Sequence, residues 1–336
     1  MCKITIYSVE DAFGKVTEKE MQDYAYEFID DAFSQCTLLE NVLSKTVSDS
    51  KLSELNRSDA EDGIWVDTGL EVSSLIEKAQ KYSELSDGKF DVTIGSVSEL
   101  WDFHGDLDDN SGVLPDDDKI KEALAHVGYT NVETRSNGTA RKLDKDTEVD
   151  LGGIAKGYIA DSIADYMYEQ GVRSAIINFG GNIVAIGRHA KRFDERGSIE
   201  SDFTDFKVGI NDPLSETGDI LGYFETSDAT IVTSGTYERF IEVDGKKYHH
   251  ILDPKTGYPV DTDLIQVSVL APRGMSADAD CLTTTLLALG SDEGMKLMNK
   301  LASDPEYNGV EAVFLTNNGE VLFSNPNTTF VANTNQ

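Results

Sequence analysis

Basic side chains are scarce in this sequence: 29 Lys and Arg stand against 61 Asp and Glu, a formal net charge of −32 over 336 residues. A surface of that sign repels polyphosphates and anionic lipid, so nucleic acid is not an expected partner. An anionic small ligand would need a local exception, built from a metal ion, a few cations or clustered backbone N–H groups. Cysteine is scarce as well. Cys2, Cys36 and Cys281 are odd in number, with no C-x-x-C and no His at zinc spacing. Neither a disulfide framework nor a zinc site is expected, and the three read as free core thiols. No apolar run reaches the ~18 to 20 residues that span a bilayer. The chain opens Met1-Cys2-Lys3-Ile4-Thr5-Ile6-Tyr7, alternating as a strand does and lacking the basic and apolar regions of a signal peptide. It is therefore expected to be soluble as it stands and trimmed ahead of Met1.

Internal repeats and long linkers are absent too, and 39% hydrophobic residues suffice for one large domain, or two lobes sharing a cleft, over 1–336. Ala25, Phe28, Ile29, Ala32, Phe33, Cys36, Leu39 and Leu43 recur at three- and four-residue spacing, which predicts a helix ending near Ser44. A second helix is predicted over 70–85, closed by Ser86-Asp87-Gly88. The acids Asp102, Asp106, Asp108, Asp109, Asp116, Asp117 and Asp118 do not match a calcium-loop spacing and read as a solvated linker. Short apolar strands are predicted at 149–151, 174–179, 183–186, 206–210 and 264–270. A hairpin is predicted where 240–243 and 247–250 flank Asp244-Gly245. A helix over 276–289 should end at Gly290, and a last strand pair should turn at Asn317-Asn318-Gly319. Residues 188–205 are polar and aperiodic, as in an exposed insertion.

Five segments carry chemistry, two of which, 87–95 and 233–240, show turn residues beside a strand and singly would read as loops. Asp150-Leu151-Gly152-Gly153-Ile154-Ala155-Lys156-Gly157 reads as a strand end, a paired-glycine turn and a helix start, which presents free N–H groups at the positive end of a helix dipole. It matches neither the Walker nor the dinucleotide glycine pattern. Asp280 and Thr284, four apart on a predicted helix, share a face, and a carboxylate with a hydroxyl suits Mg²⁺. His249-His250 follow the hairpin, and strand alternation lets only one of them enter a given cleft, where it could serve as a base.

Taken in order, these segments resemble the FAD:protein FMN transferase family, the ApbE flavin transferases. The resemblance rests on Ser44 with 53–56, the block 88–95, Trp101, and the segments 150–161, 178–181, 234–240, 250–259 and 279–290. It implies an α+β, two-lobed, T-fold-like architecture of mixed sheets flanked by helices, with FAD in a cleft between the lobes. It also implies a reaction: a threonine hydroxyl of an acceptor flavoprotein attacks the FMN-side phosphorus of FAD, leaving FMN esterified and releasing AMP. By the same resemblance Asp280, Thr284 and the Gly153 carbonyl would hold Mg²⁺. Lys89, Phe90, Asp91, Asp150, Lys156 and Leu252 would contact FAD, and His250 would take the acceptor's proton.

Two alternatives share that site: an FAD pyrophosphatase that uses water, and a protein that binds or scavenges FAD without turnover. Thr46 stands where many relatives carry an aromatic residue that stacks on the flavin, which bears on transfer against hydrolysis. Asn182 follows the Gly180-Gly181 pair where an acid is frequent. The usual acceptor signature, Asp-Gly-x-Ser/Thr-Gly-Ala/Ser-Thr, does not occur here, so the expected acceptor is another protein. Family members are typically exported and lipid-anchored, which implies an extracytoplasmic, membrane-associated lipoprotein. Cys2 itself, running straight into a strand, reads as a core residue and not as an anchor.

Overall fold

The computed structural model describes residues 2–9, 18–59, 63–101, 103, 112–190 and 203–333. In chain order come β1 (Cys2–Val9), α1 (Glu18–Leu43), α2 (Lys51–Asn56), β2 (Val66–Asp67), α3 (Gly69–Leu85), α4 (Gly95–Trp101), α5 (Asp117–Leu124), β3 (Val132–Arg135), β4 (Thr139–Lys142) and α6 (Ala155–Glu169). Strands then dominate: β5 (Val172–Phe179), β6 (Asn182–Gly187), β7 (His189–Ala190), β8 (Phe203–Thr204), β9 (Phe206–Asn211), β10 (Ile220–Thr226) and β11 (Ala229–Gly235). The hairpin β12 (Phe240–Val243) and β13 (Lys246–His249) follows, then β14 (Leu264–Pro272), α7 (Ser276–Leu301), β15 (Glu311–Thr316), β16 (Val321–Phe323) and β17 (Phe330–Ala332).

Strand alternation builds the core in layers. The seven-stranded sheet runs β1-β5-β6-β11-β14-β15-β16. Ala175, Ile177, Val184 and Ile186 on one face meet Ala160, Ile163 and Met167 of α6. Ala185, Ile231, Val313 and Leu315 on the other meet Phe206, Phe224 and Phe330 of the small sheet β17-β10-β9. The fold is α+β as expected, but every ladder is antiparallel, and among the described residues parallel pairing is confined to an isolated bridge between Ile94 and Glu148.

Local chemistry sets the boundaries. Asp87 and Gly88 both have positive φ, and the Gly88 N–H donates to the Ser83 carbonyl at 2.8 Å, ending α3 as the glycine predicts. Gly290, at φ 79° and ψ 175°, interrupts α7 where the sequence places its end, and the chain resumes as a helix to Leu301.

Several expectations are corrected. Residues 149–151 are not a strand: the Val149 N–H and C=O are both bonded by one side-chain amide, Asn56, at 2.9 Å each. Asp116 is no linker residue but the N-cap of α5, accepting from Asp118 and Lys119 N–H groups. Asp102, Asp106, Asp108, Asp109 and most of the 188–205 insertion lie outside the described residues. Cys2 is exposed and Cys36 half-buried, so of the three thiols Cys281 alone is in the core; Cys2 shares the face of Ile4 and Ile6 but begins β1, an edge strand whose first two residues are both exposed. No described helix is long and apolar enough to cross a membrane.

Candidate active site

The two helices that carry the glycine turn and the Asp280–Thr284 pair cross at their N-termini. Gly157 makes the crossing possible, because a Cβ there would lie 2.2 Å from the Ser276 carbonyl oxygen. Its N–H donates to Asp280 Oδ2 at 3.0 Å. Asp161, one turn on, accepts from the Ser276 and Ala277 N–H groups at 3.1 Å each and so caps α7. Asp278 of the same turn binds Lys78 at 2.5 Å and Tyr82 at 2.8 Å, tying α7 to α3. Helix α7 is thereby fixed in position and rotation by two neighbours.

That fixing presents a donor set. Asp280 is 1% exposed, and among the described residues its Oδ1 is paired with Lys156 alone, at 3.8 Å. The Thr284 hydroxyl makes no hydrogen bond among the described residues, whereas Thr283 next to it returns its own to the Asp280 carbonyl at 2.9 Å. A Cβ on Gly153 would lie 3.9 Å from Thr284 Oγ1 and 3.0 Å from the Phe90 ring. Glycine thus keeps the Gly153 backbone beside the free hydroxyl, with Phe90, 5% exposed, packed beneath it. An open carboxylate oxygen, a free hydroxyl and a nearby backbone are hard oxygen donors, and they fit Mg²⁺.

Of the remaining expected residues, Asp150 is bonded to the same turn, and the 88–95 block is joined to it through Asp150. Asp150 accepts from the Gly152 N–H at 2.8 Å, from Ser98 at 3.2 Å and from Lys45, whose ammonium is 3.1 Å away. Burial pushes the Asp150 carboxyl up, but Lys45 and those donors outweigh it and hold it below the usual range. Lys45 also brings Thr46, which is exposed and hydroxyl-bonded to Ser44 at 2.9 Å, to this edge of the site. The Asp150 N–H donates to the Val92 carbonyl at 2.7 Å, joining the 88–95 block. There Asp91, raised by burial, accepts from the Thr93 N–H and hydroxyl, and Lys89 pairs with Asp253 at 2.7 Å. Asp253 opens the turn after Leu252, whose far end is held by Trp101 Nε1 on the Gly257 carbonyl at 2.8 Å.

His250 follows β13, with Nδ1 3.1 Å from the Arg239 carbonyl. A carbonyl can only accept, so Nδ1 carries the proton and Nε2 keeps its lone pair. Burial, with the Arg239, His249 and Lys156 charges, lowers the His250 pKa to about 4. His249 is turned away, Nε2 to the Val260 carbonyl at 3.1 Å, as alternation predicts. Glu238 shares the field of Lys156 and Asp280, and burial raises its pKa. Lys45 and Ser98 escaped the sequence reading because their relevance is tertiary, and Glu238 because a turn segment gave it no role.

Two other features stand apart. His126, Asp144 and Asp146 cluster closely enough to hold a cation, but share no residue with this set. A shallow groove lined by Trp65, Gln80, Tyr129 and Arg135 is likewise separate from it.

The ApbE family model matches residues 1–314. The chain belongs to the ApbE family. It is 32% identical over 321 residues to an FAD:protein FMN transferase of Treponema pallidum, covering 94% of this chain and 81% of that protein. A Klebsiella pneumoniae protein of the same name is also 32% identical, over 290 residues, covering 85% and 81%. Among solved structures, the ApbE protein of Thermotoga maritima superposes with a TM-score of 0.73 at 28% identity, covering 88% of each chain. The flavin transferase ApbE of Vibrio cholerae, 24% identical with a TM-score of 0.72 over 98% of this chain and 99% of that one, shows the same fold.

Proposed function

We propose that this chain is an FAD:protein FMN transferase that moves FMN from FAD to a threonine hydroxyl of a separate acceptor protein and releases AMP. The observation that supports the reading is a buried Asp280 carboxylate with an open oxygen, an unbonded Thr284 hydroxyl beside Gly153 and Lys156 next to them, with His250 within the field of Lys156. Asp280, Thr284 and the Gly153 carbonyl would hold Mg²⁺, which when bound offsets charge building on the phosphoryl oxygens. Lys156 adds a fixed cation beside that position. His250 Nε2 takes the threonine proton, its ring oriented by the Arg239 carbonyl. Asp150, Lys89, Phe90, Asp91 and Leu252 bind and orient FAD.

A second reading is favoured by Thr46, which is exposed and brings no aromatic ring over the site. Water could then replace threonine and give FMN and AMP. The family resemblance further supports an extracytoplasmic, membrane-associated enzyme, checked by fractionating cells that express the whole gene product. The deciding experiment is intact mass of an acceptor fragment bearing Asp-Gly-x-Ser/Thr-Gly-Ala/Ser-Thr after incubation with FAD and Mg²⁺, with AMP followed in parallel. An FMN-sized gain abolished by EDTA supports transfer. AMP without a gain supports hydrolysis, and FAD binding without AMP refutes both.

A further inference from the structure

The hairpin that leads into His250 is a sheet of only two strands, β12 and β13. Its pairing decides which backbone groups are spare. Asp244 and Gly245 have φ of 52° and 75°, a type I′ turn, so Val243 and Lys246 exchange both hydrogen bonds across it. Alternation repeats that at Ile241 with Tyr248, and at Arg239 with His250, where the His250 N–H donates to the Arg239 carbonyl at 3.0 Å. The intervening pairs, Glu242 with Lys247 and Phe240 with His249, must turn their N–H and C=O groups outward. Among the described residues, no backbone group from Phe240 to His249 bonds to any other segment.

The two outer edges differ. One face of the hairpin is covered, since Ile241 and Tyr248 pack with Trp101, so a partner must approach by an edge. The β12 edge presents Glu242. β13 carries Lys246 and Lys247, both exposed, with their ammonium groups over the Tyr248 and Phe240 rings at 4.8 and 4.5 Å on its two faces, and no acid from Lys246 to His250. On a chain of net charge −32 that is a cationic strip. Lysine at a strand edge disfavours pairing with a like chain, and the same charge admits an acidic one.

We infer that an extended, acidic segment of the acceptor protein adds to β13 as a third strand and runs past His250. The inference rests on the transferase reading, in which His250 meets the acceptor threonine. Main-chain hydrogen bonds to Lys247 and His249 supply affinity with little demand on sequence, and the lysines select charge. A threonine carried on that strand is delivered to the end of β13, where the His250 ring begins.

The test uses the full chain and a fluorescein-labelled 14-residue peptide containing the acceptor signature flanked by acids, with binding read by anisotropy. Lys247→Pro removes an outward N–H while leaving the hairpin's own bonds intact, a change edge strands tolerate. Lys247→Ala removes the charge alone. Lys247→Pro should bind about tenfold more weakly than Lys247→Ala, the size of one net hydrogen bond. N-methylation along the peptide should weaken binding at every second residue and spare those between. Equal affinities for the two variants together with no alternation, or no binding at all, overturn the proposal. Should Lys247→Pro disturb the hairpin, the N-methyl series on the unaltered enzyme decides alone. Alternation without any FMN-sized mass gain would leave the docking mode standing and overturn the transferase reading; a gain without alternation would do the reverse.

Discussion

Gly157→Ala tests whether the helix crossing, and not just the residues on it, makes the site. A methyl at 157 would sit 2.2 Å from the Ser276 oxygen, 2.5 Å from its carbon and 2.7 Å from Ala277 Cα, where ordinary contact begins at 3.4 Å. The shortfall to oxygen is 3.4 minus 2.2, or about 1.2 Å, and all three atoms are backbone, so no side chain can rotate away. The start of α7 must therefore move relative to α6. Overpacking of this kind costs about 1–3 kcal/mol. Weakening the Gly157 N–H bond to the Asp280 carboxylate adds about 1 kcal/mol, and the helix propensity of alanine returns about as much. A net loss of about 2 kcal/mol lowers the melting temperature by several degrees. Function should suffer more. Asp280 and Thr284 ride on the displaced segment, and a shift near 1 Å costs about 10²-fold in rate.

The assay pairs thermal melting with kcat/KM for AMP release at saturating Mg²⁺. Gly218→Ala is the control: it has φ 76° but nothing within 4 Å, so it should lose about 1–2 kcal/mol to backbone strain and leave turnover unchanged. If Gly157→Ala melts with the parent and turns over within about twofold of it, the crossing does not govern the site and the reasoning from the Ser276 contact is wrong.

Asp280→Ala should abolish metal-dependent turnover and leave no measurable Mg²⁺ binding by calorimetry, while FAD binding weakens less; normal turnover with Mg²⁺ would refute the metal assignment. Because burial holds the His250 pKa to about 4, the imidazole is already neutral above that value. The kcat/KM profile should show no histidine limb between about pH 7.5 and 5.5, and a limb near 6.5 that disappears in His250→Gln would contradict the geometry. Lys45→Met should raise FAD KM more than it changes kcat. Asp150 is held below its ordinary 3.8, so its pairing adds stability above that pH which is lost as pH falls through the lower folded value. Urea midpoints for Lys45→Met should therefore fall less steeply below about pH 4 than the parent's.

What the sequence disclosed and what it hid divide along physical lines. Turn residues are local, so Asp244-Gly245, Asp87-Gly88 and Gly290 could each be read directly from the conformations that glycine and aspartate tolerate. The stripe in α1 and the Asp280–Thr284 face follow from helical spacing alone. By contrast, Asn56 gripping Val149, Asp161 capping α7 and Lys45 reaching Asp150 join residues 93, 115 and 105 positions apart. No local pattern encodes such contacts; Lys45 in particular is one more surface-like lysine until the fold places Asp150 beside it. Cys2 misled for the same reason, since alternation shows that it lies in a strand but not that the strand is an edge.

Charge ties the site to the composition. Its acids are already partnered: Asp150 by Lys45, Asp253 by Lys89, and Asp280 by Lys156 and the Gly157 N–H, while Glu238 lies in the field of Lys156 and Arg239. With Asp91, which is bonded to Thr93 and not to a cation, four cations stand against five carboxylates, and the cleft is near neutral within a molecule of net charge −32. Such a cleft escapes the repulsion of the surrounding surface, but it holds no surplus of protein cation for a pyrophosphate. The helix start after Gly153 has little to add, contrary to the free N–H groups expected there: Ile154 and Ala155 donate to the Leu151 carbonyl at 3.0 and 2.8 Å, and Gly157 donates to Asp280. On the proposed transferase reading the deficit would be met by an ion bound with the ligand, for which the open Asp280 oxygen and the unbonded Thr284 hydroxyl are the candidate donors. On that reading the acidic composition would not oppose phosphate chemistry; it would make that chemistry conditional on a divalent cation.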